Sequence, residues 1–243
     1  MKILLLSDIH ANLTALEAVM AAVADSGPIG AIWVSGDTVG YGPDPNECME
    51  LVRDRADMVI AGNHELAAIG KMSTEDFNAH AAAVAEWTQK TLTDSVAEYI
   101  AGLPLRLEQG DFTLVHGSPR DPVWEYLLSD DGFRANLDHF ESPGCMVGHS
   151  HYQFLVQIPE GAAMVAQSEQ DIDLPVGDGR FFVNPGSVGQ PRDGDPRAAY
   201  ATYDDEDRAV TFRRVEYDIG ATQQRMESAG LPEPLIERLS HGR

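Results

Sequence analysis

The chain has 243 residues, 43% hydrophobic and 23% charged, which is ordinary globular composition and enough to bury a substantial core. Its net charge is −22, with only three lysines and fourteen scattered arginines. This balance excludes the basic stripe that binds a nucleic-acid polymer and disfavours an anionic membrane as a partner.

Cysteine usage and hydropathy restrict the compartment. Cys48 and Cys145 stand far apart and outside any CxxC pattern, which predicts free thiols in a reducing compartment and a cytoplasmic location. No stretch approaches the ~18–20 apolar residues of a membrane span. The short apolar run at 3–6 is interrupted at Asp8, which indicates a buried strand and not a secretory signal.

Apolar runs alternate with helical patterns through the first quarter of the chain. In chain order the pattern predicts a strand at 3–6, a helix at 13–24 with Asn12 as its N-cap, a strand at 29–35, a helix from about 46 to 55 and a strand at 58–61. This β-α-β-α-β order predicts parallel strands with helices packed outside them.

Residues 66–102 break the rhythm, because they are rich in Ala, Glu and Thr with helically spaced apolar residues. They predict a helical excursion, a lid or partner surface. The second half is strand-rich, and a helix is expected at 219–229. Its predicted strands, the last two forming a hairpin, are 103–108, 112–116, 145–148, 154–158, 164–167, 181–183, 199–203 and 210–216. Without repeats or linkers, the sequence predicts one domain over residues 1–243.

Metal-capable side chains are concentrated in four places. They are Asp8-Ile9-His10, Gly36-Asp37, Gly62-Asn63-His64-Glu65, and His116-Gly117 with Gly148-His149-Ser150-His151. Each pattern is weak alone, since D-x-H arises by chance about 0.7 times in such a chain. Their position is stronger evidence, because the carboxyl edge of an open α/β sheet is where ligands bind. The residues at the ends of predicted strands are Asp8, Asp37, Asn63, His116 and His149.

The order D-x-H, G-D, G-N-H-E, H-G, G-H-x-H over residues 8–151 resembles the calcineurin-like metallophosphoesterase superfamily. The compact length, the segment Ser7-Asp8-Ile9-His10-Ala11-Asn12-Leu13 and the later Asn184-Pro185-Gly186-Ser187-Val188-Gly189 are similar to the small YfcE-like bacterial and archaeal phosphodiesterases. The resemblance implies an α/β fold, a four-layer α-β-β-α sandwich of two mixed sheets, and a metal-dependent phosphoric ester hydrolase.

The resemblance also implies two divalent metal ions. Asp8, His10 and His151 would hold one ion, Asp37 would bridge the two, and the second ion would be held by Asn63, His116 and His149. The two carboxylates offset two of the four positive charges of the ions, and the other five ligands are neutral. The site therefore keeps a formal charge of about +2, which attracts phosphate and lowers the pKa of a bound water toward ~7. With no thiolate, the set suits Mn²⁺, the expected ion, and also Fe²⁺, Zn²⁺, Ni²⁺ or Mg²⁺.

His64 is the implied catalytic residue, which would donate a hydrogen bond or proton to the leaving-group oxygen. Many YfcE-like members have Cys at this position. Protein Ser/Thr phosphatases continue G-D-x-V-D-R-G, whereas this chain has Gly40-Tyr41-Gly42 and so lacks both the carboxylate that would orient His64 and the arginine that would hold phosphate. This argues against a protein phosphatase and leaves open what orients His64. Glu65 is expected to be structural or solvated.

The implied function is a dinuclear phosphoesterase that hydrolyses a small phosphodiester or nucleotide by attack of a metal-bound hydroxide. The alternatives are a phosphomonoesterase, a dinucleoside polyphosphate hydrolase and a non-catalytic scaffold of the same fold. The expected partner is a small phosphorylated substrate, and a homo-oligomer is compatible with the sequence. Candidate substrate contacts are Asn12, Arg120 and Arg192, with helix capping or surface ion pairing as their alternatives. The aromatic residues expected in the core are Trp33, Phe77, Trp87 and Trp124.

Overall fold

The computed structural model describes residues 1–158, 164–167 and 170–243, with only the backbone of 164–167. The strands are β1 Lys2–Leu6, β2 Ala31–Val34, β3 Met58–Val59, β4 Arg106–Gln109, β5 Phe112–Val115, β6 Gly144–Met146, β7 Gln153–Ile158, β8 Met164–Gln167, β9 Asp173–Pro175, β10 Arg180–Pro185, β11 Ala198–Asp204 and β12 Ala209–Val215. The helices are α1 Leu13–Asp25, α2 Pro45–Arg55, α3 Asn63–Ala68, α4 Ala79–Thr91, α5 Asp94–Gly102, α6 Asp130–Ala135, α7 Ile219–Ser228 and α8 Glu233–Glu237, with short 3₁₀ helices at Leu137–His139 and Arg238–His241.

Within these ranges the strands form two mixed sheets. The first has the order β3-β2-β1-β11-β12-β9, in which β1 pairs with β2, and β2 with β3, in parallel. The second has the order β4-β5-β6-β10-β7-β8, in which β5, β6 and β10 are parallel. The parallel strands of each sheet therefore send their carboxyl ends, and the loops that follow, to one edge.

The two sheets face each other across one apolar cluster, which includes Ile3 and Trp33 of the first sheet and Phe112 and Phe181 of the second. Helices α1 and α2 cover the outer face of the first sheet, and α6 covers that of the second. These four layers, α-β-β-α, confirm the predicted fold class. Burial of the cluster on both sheet faces is the main stabilising contribution, since each large apolar side chain contributes about 1.5–3 kcal/mol.

The predicted elements are all present, with ends shifted by one to three residues. The Asn12 side chain accepts a hydrogen bond from Ala15 N at 3.2 Å, which confirms the N-cap of α1. Strand β4 begins three residues later than predicted, because Pro104 has no N–H to donate to a ladder. Sequence patterns missed α6, α8 and β9, which are too short to show a period.

Two helical regions lie outside the sandwich, and both contribute side chains to one apolar cluster. Helix α4, from the 66–102 region, contributes Val84 to an apolar cluster that also contains Met226 of α7 and Leu235 of α8. Tyr41, from the loop after β2, completes this cluster. The helices therefore stand beside the carboxyl edge of the first sheet. Within the described ranges, none of the helices combines the length and apolar character that crossing a bilayer requires.

Candidate metal centre

The loops after β1, β2, β3, β5 and β6 bring the metal-capable side chains together in a buried cluster. In the part of the chain that the structure describes, three groups have all their candidate ligand atoms within 4.8 Å of one another. The groups are Asp8, His10 and His151; Asp37, His116 and His149; and His10, Asp37 and His64. Residues separated by up to 143 positions thus share one site.

His10 and His151 present their ring nitrogens in an arrangement that suits a cation. His10 Nδ1 lies 3.2 Å from Val39 O and His151 Nδ1 lies 2.5 Å from Gln190 O. A carbonyl only accepts, so both Nδ1 atoms carry hydrogen. Burial lowers the pKa of both rings well below the usual value, so both are neutral. Their Nε2 lone pairs therefore face each other at 3.0 Å, which is unfavourable without a cation.

His116 shows the same pattern in the second group. Its Nδ1 donates to Ser35 O at 2.8 Å, so Nε2 faces Asn63 Oδ1 at 3.1 Å and Asp37 Oδ2 at 3.2 Å. Burial opposes its protonation, but the charges of Asp37 and Asp8 outweigh burial and raise its pKa to about 9. A proton and a metal ion compete for such a position, because ligands bind deprotonated.

The remaining candidate ligands are also buried and available. His149 Nε2 has no hydrogen-bond partner among the described residues, and burial lowers the pKa of its ring to about 3. Burial raises the pKa of Asp8 to about 7. For Asp37 burial acts in the same direction, but His116, His64 and His10 outweigh it and hold the pKa well below its usual value. Convergent lone pairs and an orphaned imidazole nitrogen fit a metal-ion site.

The backbone at these residues is strained. Positive φ angles occur at Asp8 (51°), His10 (50°), Asp37 (52°), His149 (63°) and His151 (63°). Each such residue costs about 1–3 kcal/mol and persists only where the surroundings hold it. The strain turns consecutive loop side chains toward a common point. All five are Asp or His, which adopt the left-handed region more often than most non-glycine residues, but residue type alone does not predict this conformation at a given position.

Glu65 holds two of the site loops. Its carboxylate accepts hydrogen bonds from Asp37 N and Gly62 N at 2.7 Å and from Val39 N at 3.0 Å. A Cβ on Gly62 would meet the Asp37 backbone, so the loops approach this closely only with glycine there. The expectation that Glu65 is structural or solvated is confirmed in its first part, because the side chain is buried.

The segment 184–189, which is similar to that of the YfcE-like proteins, joins the two loops of the first ligand group. Asn184 Nδ2 donates to Gly148 O at 2.8 Å and to Ser150 Oγ at 3.0 Å, which fixes the loop before His151. Ser187 Oγ donates to Asp8 O at 2.6 Å. Strand β10 therefore positions ligands carried by β1 and β6, a role visible only once the sheet order is known.

His64 is surrounded by rings. Its ring centroid lies 4.5 Å from that of Tyr41, 4.9 Å from that of His10 and 5.2 Å from that of Phe77. Burial lowers the pKa of His64 to about 4. A Cβ on Gly40 would collide with His64 Nδ1, so the Gly40-Tyr41-Gly42 segment both admits and packs the imidazole.

The three candidate substrate contacts have different surroundings. Asn12 is buried, and its side chain bonds to Gly189 O, Tyr217 Oη and Thr222 Oγ1 as well as capping α1. Arg120 pairs with Glu125 at 2.8 Å. Arg192 lines the cleft above the cluster, with Nη2 3.1 Å from Gln190 Oε1 and 3.5 Å from Tyr41 Oη.

The cleft above the cluster is lined by His64, His149 and Arg192 together with rings. Phe77 and Trp124, both expected in the core, line the cleft, and Phe77 also packs against the cluster of helices α4, α7 and α8, as expected. Tyr126, which no sequence pattern singled out, lines the cleft as well. Trp33 lies in the core between the sheets, and Trp87 packs against the cluster of helices α4, α7 and α8. Phe77 and Trp124 lie in loops, where no strand or helix period could assign them to a core face.

Comparisons with known proteins find relatives along the whole chain. An uncharacterized protein of Methanocaldococcus jannaschii is 38% identical over 248 residues, covering 99% of this chain and 98% of the other. A crystal structure of a metallophosphoesterase from Sphaerobacter thermophilus is 45% identical, with 100% and 99% coverage and a TM-score of 0.90. YfcE, a phosphoesterase from E. coli, is 19% identical, with 89% and 100% coverage and a TM-score of 0.43.

The sandwich and its buried cluster of imidazoles and carboxylates define a metal-dependent phosphoric ester hydrolase. A family model described as the calcineurin-like phosphoesterase superfamily domain matches residues 1–208. The chain belongs to this superfamily, which confirms the resemblance found in its sequence. Divalent metal ions are the cofactors that the family implies, and the donor set fits them.

Proposed function

We propose that the protein is a dinuclear phosphoesterase that hydrolyses a small phosphodiester or nucleotide. The observation that carries the proposal is the pair of ligand groups, Asp8-His10-His151 and Asp37-His116-His149, with Asn63 Oδ1 beside His116. Asp37 belongs to two of the three groups and is the natural bridge. Divalent cations held there supply Lewis-acid charge to the phosphate and to the attacking water.

The protein's own residues do the remaining work. Asp37 Oδ1 accepts from His64 N at 3.0 Å, which fixes the His64 backbone beside the bridge. His64 stands at the cleft, where its imidazole, neutral above its lowered pKa of about 4, donates a hydrogen bond to the leaving-group oxygen. Arg192, which lines the same cleft, binds the phosphate, since guanidinium and phosphate oxygens form charge-assisted pairs. The rings around His64 exclude water from the reacting group.

Mn²⁺ is the ion we propose for both positions, because oxygen and imidazole ligands suit it. A reducing, cytoplasmic environment fits the two buried free thiols, Cys48 and Cys145. The expected partner is a small phosphorylated molecule.

The deciding experiment measures metal content and turnover together. Protein loaded with Mn²⁺ should contain two metal equivalents and hydrolyse bis(p-nitrophenyl) phosphate, and Asp37→Asn should lower turnover by at least a hundredfold and bind less than two equivalents. Asp54→Asn, an exposed acid on α2, is the matched control and should retain both properties. One equivalent in the wild type, or full turnover in Asp37→Asn, would contradict the proposal.

A further inference from the structure

We propose that the cleft takes a phosphate ester with one planar ring group, a nucleoside or aryl group, and a single phosphate. The ring lies on a wall formed by Phe77, Trp124 and Tyr126, which we call the ring wall, and Arg192 holds the phosphate. This inference rests on the proposed function, because the metal ligands fix where the reacting phosphate lies.

The ring wall stands directly beside the reacting groups. Phe77, just before α4, and Trp124, in the loop after β5, meet edge to face with centroids 5.3 Å apart. Phe77 also lies 5.2 Å from His64. Tyr126 stacks on His149 with centroids 3.9 Å apart and an interplanar angle of 23°. An ester group on a phosphate bound at the cluster therefore reaches these rings.

The exposure of these rings distinguishes them from the core. Tyr126 is 47% exposed although it stacks on a candidate metal ligand, whereas core rings such as Phe112 and Phe181 are at most 2% exposed. Phe77 and Trp124 are partly exposed and line the same cleft. Two chain segments thus present aromatic faces to solvent at one place. Bases and aryl groups stack on such faces whatever their hydrogen-bonding edges.

Charge in the cleft points to a single phosphate. Arg192 is the one cationic side chain among the described lining residues, and Asp76 places a carboxylate at the same rim. Within the described structure, no carboxylate oxygen lies within 4.0 Å of Arg192, and its Nε is buried without a partner. A polyphosphate chain would add negative charge beside Asp76 in a protein of net charge −22. The cleft therefore disfavours a dinucleoside polyphosphate.

The test uses two diesters with the same non-aromatic leaving group, the 2,2,2-trifluoroethyl ester of thymidine 5′-monophosphate and methyl 2,2,2-trifluoroethyl phosphate. The wild type should prefer the nucleoside ester in kcat/KM. Trp124→Leu should reduce this preference about tenfold, the size of one stacking contact. Trp87→Leu, a tryptophan packed outside the cleft, is the matched control and should retain the preference. An unchanged preference in both Trp124→Leu and Tyr126→Leu would contradict the proposal that the ring wall binds the ring group of the substrate.

A binding measurement separates this proposal from the proposed function. Thymidine 5′-monophosphate should quench the fluorescence of Trp124 in metal-loaded wild type, with a Kd that rises about tenfold in Tyr126→Leu. Thymidine 5′-diphosphate should bind no more tightly than the monophosphate, and tenfold tighter binding would contradict the single-phosphate cleft. If neither ester is hydrolysed, the proposed function fails, while the quenching still decides the ring wall.

Discussion

The ring of Tyr41 lies 4.5 Å from the ring of His64 and 4.6 Å from that of His10, so one tyrosine contacts both the catalytic candidate and a candidate ligand. In the phosphatase pattern G-D-x-V-D-R-G the corresponding stretch supplies a carboxylate and an arginine. Here Gly40-Tyr41-Gly42 stands in their place, and the ring of Tyr41 packs against the imidazole of His64. We expect this contact to orient the imidazole.

Replacing Tyr41 therefore tests how His64 is oriented. Tyr41→Leu should lower kcat roughly ten- to hundredfold, because the imidazole of His64 would then lose its alignment with the leaving-group oxygen. The metal content, measured by mass spectrometry, should remain that of the wild type. Tyr41→Phe keeps the ring and should restore kcat to within about threefold. A loss of metal in Tyr41→Leu would instead assign the tyrosine to support of His10.

Glu65 offers a test of loop support. Glu65→Gln places an amide NH₂ against backbone N–H donors in a buried site, and should lower the free energy of unfolding by about 3 kcal/mol. Urea unfolding at pH 8 measures the change. Glu86→Gln is the control, because Glu86 is exposed and its contact with Lys90 is long, at 4.0 Å. It should change the free energy of unfolding by less than about 0.5 kcal/mol. If both variants changed the free energy of unfolding equally, the hydrogen bonds that Glu65 accepts from the two loops would not be stabilising them.

Metal removal should destabilise the fold, because the Nε2 lone pairs of His10 and His151 then face each other without a cation. Free metal at a hundred times its Kd stabilises by about 2.7 kcal/mol, so chelation should lower Tm by about 5–10 °C. Calorimetry with EDTA, and again after Mn²⁺ is restored, measures the shift. In Asp37→Asn the change in Tm on adding EDTA should be smaller. If EDTA did not change the Tm of the wild type, the result would contradict the metal site.

The Arg120–Glu125 pair predicts an acid-dependent contribution to stability. Hydrogen bonds from Arg120, outweighing burial, and from Asn136 and Ser118 lower the pKa of Glu125 from its usual 4.5 to about 2. A lowered folded pKa means that the contribution is complete above pH ~4.5 and is lost as pH falls toward 2. The stability gap between wild type and Glu125→Gln should therefore close between pH 4.5 and 2 in urea titrations.

The control for this prediction is Glu108→Gln, which removes an exposed partner of Arg106. Its effect on stability should be small at every pH, since exposed ion pairs are screened by solvent. A Glu125→Gln gap that stays constant down to pH 2 would show that the carboxylate charge contributes nothing and that packing alone is lost.

Much of the fold could be predicted because its signals are local. The strand at β1, the cap at Asn12 and the hairpin of β11 and β12 depend on residues within a few positions of one another. Asp8 and Asp37 could be placed at one edge because parallel strands end together.

What the sequence did not show depends on distant contacts. Glu65 accepts hydrogen bonds from Asp37 N and Val39 N only because two loops meet. The exposed ring of Tyr126 stacks on His149 only because β5 and β6 are neighbours in the sheet. The left-handed backbone at His149 and His151 is held by that same packing, although histidine adopts this conformation more readily than most non-glycine residues. Residue type alone therefore identified candidate ligands but not the groups that hold them in place.

The separation of His10 and His151 by 141 positions has a consequence for biosynthesis. While the ribosome is still elongating, the emerging amino-terminal loop has Asp8 and His10 but lacks the imidazole opposite them, and Ser187 has yet to bind the Asp8 carbonyl. Native contacts of such long range form late. The first ligand group can therefore form only after His151 and Ser187 have been synthesised, so the amino-terminal loop cannot select an ion by itself.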